Sequence, residues 1–328
     1  MTQATLGVVV VTYCGADVIA TCLETLMGAR DVALRVVVVD NGSPDDTVQV
    51  IKDWASGVAP FQGKLPFIVS DITKPVPLDG TGGGHRITLI ETGRNTGFAG
   101  GVNVGLAHLA ADPAIDRFWV LNPDCAVPPE TPAKLATATG DFALMGNRII
   151  FQDDPDMIQI DGGLISWTTG VTANLNTLQD PATTPTPAPD EMQFISGASM
   201  VASRAFYESV GPMREDYFLY YEEVDWALRR TAPLAWTADA PVYHKGGASI
   251  GSRTRRQRAS VLSLYFIHRA RVMFLWRFRK ASVPMGLAYS LAKSVQLFAE
   301  GDAAGAAAIL RGSFQMRAPK VVRQKLGH

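Results

Sequence analysis

Three carboxylates stand inside an aromatic run, Tyr217-Phe218-Leu219-Tyr220-Tyr221-Glu222-Glu223-Val224-Asp225-Trp226. An unpaired charge among buried aromatics is costly, so such a carboxylate is expected to be ion-paired, bound to a cation or used as a base. On a helix, Asp225 lies one turn before Arg229, and a structural ion pair explains it. Glu222 and Glu223 precede the helix body, near its positive end. One of them facing a cleft could take the proton of an attacking hydroxyl, work worth roughly 10²–10⁴ in rate. Asn122-Pro123-Asp124 ends one apolar strand and His244 ends another. A hard divalent cation needs few protein oxygens when a diphosphate and water supply the rest, so one carboxylate on a tight turn suits it. Asn-Pro-Asp is equally a common turn-forming tripeptide. Of His85, His108, His244, His268 and His328, His244 is the candidate: a lone histidine is more often a satisfied hydrogen-bonding residue, but its strand-end place before Lys245-Gly246-Gly247 gives a ligand role equal weight.

Asp40 also ends a strand, where its carboxylate can accept from a nucleobase imide or a ribose hydroxyl. Ser43, Pro44 and Asp46 after it read as a capped helix start. The segment from Arg94 to Gly105 opens a helix with four glycines, and its backbone N–H groups can approach a diphosphate. Close packing on a sheet explains Gly101 and Gly105 better than it explains Asn95 and Asn103. Neither a dinucleotide fingerprint nor a Walker-type phosphate loop is present, since Thr12-Tyr13-Cys14-Gly15-Ala16-Asp17 supplies neither after the first strand.

The elements that must hold these residues alternate. Apolar runs at Gly7–Thr12, Arg35–Asp40, Ile87–Glu91 and Phe118–Leu121 read as strands. Helical patterns follow at Ala16–Met27, near Pro44, at Phe98–Ala110 and near Pro129. Continuous apolar strands alternating with helices imply a mostly parallel sheet covered on both faces, with ligands at the carboxyl ends of the strands. Beyond about residue 140 the alternation weakens. Phe142–Phe151 and Gln159–Ala173 read as strands or hairpins, Gln193–Ala202 as a strand, and Leu234–Thr237 and Pro241–His244 as two more. Lys74–Gly84 reads as a surface insertion, and Pro181–Pro189 as an extended loop with no means of packing.

A 328-residue chain with 47% hydrophobic and 19% charged content is globular rather than disordered. Its net charge of −1 conceals a polarity, because residues 251–328 hold fifteen of the thirty Lys and Arg but only two acids. Cys14, Cys22 and Cys125 lack paired metal-ligand spacing, so a reducing cytoplasm is the plain expectation. There is no secretory leader pattern and no uninterrupted apolar window long enough to span a bilayer.

Val39-Asp40-Asn41-Gly42-Ser43, the Asn95-to-Gly105 segment, Leu121-Asn122-Pro123-Asp124, Phe218 to Asp225 and Val242-Tyr243-His244 occur in the order seen in family 2 glycosyltransferases. The chain most resembles bacterial rhamnosyltransferase-like members, over roughly residues 5–275. The resemblance implies an α/β GT-A fold: a Rossmann-like, mostly parallel central sheet flanked by helices, with a C-terminal helical extension. The catalytic domain would span 1–255, with a nucleotide-sugar-binding half at 1–125 and an acceptor and base half at 126–255. A basic helical region would follow at 256–328.

The resemblance further implies inverting transfer from a nucleoside-diphosphate sugar, dTDP-rhamnose ahead of a UDP-sugar, to a glycan or lipid-linked glycan. Thr12, Tyr13 and Asp40 would hold the nucleotide base, with Arg94, Asn95, Gly97 and Asn103 near it or the diphosphate. Asp124 and His244 would bind Mg²⁺ or Mn²⁺, and Asn122 stands where many relatives have the first Asp of a D-x-D. Glu223 would be the base, with Glu222 beside it. Many relatives have Glu-Asp at that pair, and a more usual Gly-Gly-Phe-Asp-Glu where this chain has Gly211-Pro212-Met213-Arg214-Glu215. The family's Arg-Asn near the C-terminal helices is here Arg269-Ala270. A nucleotidyltransferase, or a non-catalytic nucleotide-sugar or nucleic-acid binding module, is the rival reading, although no nucleic acid partner is expected.

Arg253, Arg255, Arg256 and Arg258 precede a helical stretch, Val261–Lys280, in which Leu262, Tyr265, Phe266, Phe274, Leu275, Trp276 and Phe278 alternate with arginines. Two arrangements fit. Either the helix lies on an anionic bilayer as part of a peripheral, cytoplasmic-face enzyme, or its aromatics pack on the catalytic domain and its arginines form a solvated face.

Overall fold

The computed structural model describes residues 3–59, 61, 63–246 and 259–326. The first half is the expected alternation: β1 (Thr5–Thr12), α1 (Ile19–Met27), β2 (Ala33–Asp40), α2 (Thr47–Ser56), β3 (Arg86–Glu91), α3 (Gly97–Ala110) and β4 (Arg117–Leu121). Next come β5 (Cys125–Ala126), α4 (Thr131–Thr137), β6 (Leu144–Phe151), β7 (Asp154–Ile160), β8 (Gly163–Ile165), β9 (Thr172–Asn174), β10 (Ser199–Ser203) and α5 (Arg204–Val210). They are followed by α6 (Glu222–Leu228) and β11 (Leu234–His244). The chain ends in α7 (Val261–Phe278), α8 (Val283–Ala299), α9 (Ala303–Ser313) and α10 (Lys320–Lys325).

The main sheet runs β3-β2-β1-β4-β10-β6-β11-β5, with β7 on β6. It is parallel from β3 to β4. Beyond β4, β10 returns antiparallel between β4 and β6, so the sheet is mixed there. Alternate residues of β1 face opposite cores, as the period of a strand dictates. Val9 and Val11 pack with α3 and, through Phe274 and Leu275, with the same core as α7. Leu6, Val8 and Val10 pack with α1 and α2. The register sets Thr12 beside Asp40, and His244 beside Cys125. Residues far apart in sequence therefore meet at one edge.

Four expectations are corrected. Leu234–Thr237 and Pro241–His244 form one strand, because a register shift between Thr237 and Val242 accommodates Pro241. In the Gln193–Ala202 run the strand begins only at Ser199, as the start of Ser199–Ser203, and the turn before it lines a cleft. Pro181–Pro189 is largely exposed, but it is anchored. The Arg148 guanidinium, paired with buried Asp161, donates to the carbonyls of Pro181, Thr184 and Pro185. Finally, Leu262, Tyr265, Phe266, Phe274 and Leu275 of α7 are buried in the protein, so this aromatic face is not offered to a bilayer. Its arginines are not merely solvated either. Arg271 is buried, Arg269 donates to the carbonyls of Asp216 and Tyr217, and Arg277 pairs with Asp225 at 2.8 Å. The Arg253–Arg258 cluster and the 255/256 boundary lie outside the described residues.

Candidate active site

A cleft of about 610 Å³ opens at the carboxyl ends of β1 and β4. It gathers Tyr13, Asn95 and Gly97, the strand-end residues Asn122, Asp124 and His244, and the acids Glu222 and Glu223. Thr12 and Asp40 lie buried behind this lining.

The strand-end group is tightly ordered. His244 Nε2 is 3.0 Å from Asp124 Oδ1 and 3.2 Å from Asn122 Nδ2. The other ring nitrogen, Nδ1, meets Gln159 Oε1 at 2.6 Å. An amide oxygen can only accept, so this contact calls for a proton on Nδ1, and either a second proton or a cation then stands between Nε2 and Asp124 Oδ1. Lys245 N–H donates to the Asp124 carbonyl at 3.0 Å, binding the end of β11 to this turn. Asp124, Cys125 and His244 place potential ligand atoms within 4.8 Å of one another. The Cys125 thiol instead contacts the Ala198 carbonyl, and burial, with Asp124 next to it, pushes its pKa up. That leaves one carboxylate oxygen and one imidazole nitrogen as candidate donors, a mixed set open to a divalent transition metal as well as to a hard cation. Gln159 gave no signal in the sequence, because only the β6–β7 hairpin carries it to His244.

The acid pair is held differently. Phe218, Tyr220 and Tyr221 adopt φ of 68°, 69° and 69°. Bulky residues avoid this left-handed region, at a cost of about 1–3 kcal/mol each. Neighbouring contacts hold the turn: Phe218 stacks on Phe266, Tyr220 donates to Ser263 Oγ, and Tyr221 donates to the Gly170 carbonyl. Arg269 holds the preceding turn through two carbonyls, which gives the displaced Arg-Ala pair a role. The turn delivers Glu222 and Glu223 to the start of α6. Burial raises the Glu222 pKa well above the usual carboxylate range, with a further push from Glu223, and its Oε2 has no hydrogen-bond partner. Burial likewise raises Glu223, to about 7, against the opposing pull of backbone N–H groups. Asp225 faces away, where Tyr217, Arg229 and Arg277 all reach it.

On the donor side, Asp40 Oδ2 accepts from the N–H groups of Gly42 and Ser43, while Oδ1 is buried without a partner. Thr12 Oγ1, its neighbour across the register, is also buried and unpartnered. Asn95 Oδ1 accepts from Gly97 N–H at 2.9 Å. Gly97 has φ +79°, and an added Cβ would lie 2.3 Å from the Phe218 carbonyl, so only glycine lets α3 meet the turn that leads to the acids. Two expected donor residues stand elsewhere. Asn103 spends its amide on the Met213 backbone and Glu215, tying α3 to the 213–215 segment. Arg94 is exposed and does not line the cleft. One wall was unforeseen: Gln324, Lys325 and Leu326 of the α10 end border the cleft, and Tyr13 Oη donates to the Lys325 carbonyl at 2.8 Å. A contact across 312 residues leaves no local trace in sequence.

The family model described as Glycosyl transferase family 2 matches residues 7–184. The chain belongs to this family. The match takes in the donor motifs and Asp124 and stops before the acid pair and His244. A hexosyltransferase of low-salt glycan biosynthesis, Agl10 of Haloferax volcanii, is 24% identical over 228 residues, 66% of each chain. Among solved structures, the mannosyltransferase PcManGT of Pyrobaculum calidifontis, in complex with GDP-Man and Mn²⁺, gives a TM-score of 0.52 at 12% identity, over 96% of this chain and 87% of its own. GalNAc-T7 with UDP, GalNAc and Mn²⁺ gives 0.56 at 13% identity, over 99% of this chain and 57% of its own. The fold is GT-A, and the family makes the chain a glycosyltransferase.

Proposed function

We propose that the enzyme transfers a sugar from a nucleoside diphosphate to a glycan or lipid-linked glycan with inversion, using Glu223 as base and a divalent cation at Asp124 and His244. One observation carries the reading: a desolvated acid pair and an ordered carboxylate–imidazole pair border the same cleft. Asp124 Oδ1 and His244 Nε2 suit Mg²⁺ or Mn²⁺, which would stabilise negative charge on the departing diphosphate. The N–H-rich start of α3 favours the same charge. Glu223 takes the acceptor proton as the acceptor oxygen attacks the anomeric carbon from the face opposite the diphosphate. One displacement with one base inverts the configuration, with no carboxylate nucleophile as in retaining glycosidases. The unpartnered Asp40 Oδ1 is a buried acceptor, and an imide N–H of uracil or thymine would satisfy it. Motif resemblance places dTDP-rhamnose ahead of UDP-sugars.

The test is a donor panel, dTDP-rhamnose and UDP-sugars among them, scored for binding and turnover with Mg²⁺ or Mn²⁺, with product configuration read by NMR. Inverted product from one donor is the expected result. Retained configuration would overturn the mechanism, and pyrophosphate release from a nucleoside triphosphate and a sugar phosphate would move the chain to the nucleotidyltransferase reading.

A further inference from the structure

A second cavity, of about 630 Å³ against 610 Å³ for the cleft, lies between the 214–217 segment and α7. Ligand sites fall in this size range and join apolar walls to a few polar groups. Here the apolar part is Val272 and Tyr217, both buried, with Trp276 standing 62% exposed beside them. Tyr217 lines this cavity and the next residue, Phe218, lines the cleft, so the two spaces flank the turn that leads to Glu222 and Glu223. Nothing in the transfer scheme uses the second space.

Its polar groups are ordered and unevenly charged. Arg214 Nε donates to Asp216 Oδ1 at 3.0 Å, and this pairing holds the Asp216 carboxyl below the usual range, as an acceptor. Gln315, at φ 53°, donates from its amide nitrogen to the Arg269 carbonyl at 3.1 Å, which fixes that part of the rim. Arg277 is taken by Asp225, 2.8 Å away. Lys280 is not taken. Among the described residues no carboxylate pairs with it, and its Nζ lies 5.8 Å from the centroid of the Trp276 ring.

We propose that this cavity is a second saccharide site, taking a sugar ring that carries a carboxylate. An exposed indole offers a rigid apolar surface to the C–H face of a pyranose at little cost in side-chain freedom. Asp216 and the Gln315 amide oxygen can accept from ring hydroxyls, and the remaining Arg214 N–H groups can donate to them. Lys280 selects the charge, since a carboxylate on the sugar gives it the partner that the protein does not. The inference rests on the family, which makes the chain a handler of sugars, and not on Glu223 or the metal pair. A ring bound here lies against the segment that leads to the acids.

A ligand-detected NMR titration of the full chain with methyl glucuronide tests the proposal, with methyl glucoside, inorganic phosphate and UDP as comparisons and competitors. The wild type is expected to bind the glucuronide more tightly than the glucoside. Trp276→Leu is expected to weaken glucuronide binding about tenfold, and Lys280→Gln to bring it down to the level of the glucoside, a loss of up to about fivefold. Both positions are exposed, so the far-UV spectrum should not change. Absence of glucuronide binding overturns the proposal, as does binding that Trp276→Leu leaves unaffected or a glucoside bound equally well. Full displacement by phosphate makes the cavity an anion site only, and displacement by UDP gives the sugar to a nucleotide site; either result also overturns it. None of these measurements reads turnover, so failure of the transfer scheme would leave them unchanged.

Discussion

Asp124 sits on a turn stitched to β11, with His244 Nε2 3.0 Å from its Oδ1 and Lys245 N–H on its carbonyl. Glu222 and Glu223 follow a turn whose aromatics Phe218, Tyr220 and Tyr221 have positive φ, and Oε2 of Glu222 has no hydrogen-bond partner. Both groups border one cleft, and the difference in their surroundings is what supports the different roles proposed for them. A carboxylate oxygen 3.0 Å from an imidazole nitrogen is a donor pair that the proposed cation would bridge. Burial raises the pKa of both acids, and Glu223, which keeps some exposure in the cleft, is raised to about 7, a value that suits the proton exchange proposed for it.

The largest effect expected at the first station is loss of turnover in EDTA or in Asp124→Asn, measured as donor consumption. Full activity without metal would erase the contrast between the stations. Next, Gln159→Leu frees the His244 tautomer and is expected to weaken metal affinity about 10–100-fold, read by Mn²⁺ titration. An unchanged affinity would show that Gln159 does not orient the ring. Away from the cleft, Asp225→Asn breaks contacts with Arg229, Arg277 and Tyr217. The arginines retain solvent access, so the cost is expected near about 2 kcal/mol, below the range for fully buried pairs, and is read from the urea midpoint. The smallest effect belongs to Tyr13→Phe, which removes only the hydroxyl that holds the α10 end. Donor affinity is expected to fall by up to about tenfold, the worth of one hydrogen bond, while turnover at saturation stays near wild type.

The contrast also separates what was legible in sequence from what was not. The parallel half was plain, because each strand there is a largely apolar run followed by a helical pattern, and Asp40 and Asp124 fall at the expected ends. The ion pair of Asp225 with Arg229 followed from helical spacing alone, but its second partner, Arg277, did not, because it arrives from α7. Tertiary supports such as Gln159 and the Lys325 carbonyl were invisible for the same reason. Asn103 misled: an asparagine on a glycine-rich helix start resembles a phosphate contact, yet the helix turns it outward to the 213–215 segment. The α7 aromatics misled in the other direction, since an arginine-rich aromatic helix looks interfacial until its carbonyl and carboxylate partners are known.

Acidity offers a direct view of the proposed base. With Glu223 raised to about 7, transfer is expected to climb with pH through that value and level off above it. The folded protein keeps a proton that the unfolded chain releases at the ordinary glutamate pKa. Stability is therefore expected to fall as pH rises from about 4.5 to about 7, and Glu223→Gln should lessen that fall.

The most direct test measures turnover and donor affinity together in Glu223→Gln and Glu222→Gln. The predicted result is a loss of roughly 10²–10⁴ in turnover for Glu223→Gln, with donor affinity close to wild type and a smaller loss for Glu222→Gln. Wild-type turnover in Glu223→Gln, or a greater loss in Glu222→Gln at unchanged fold, would contradict the assignment of Glu223 as the base.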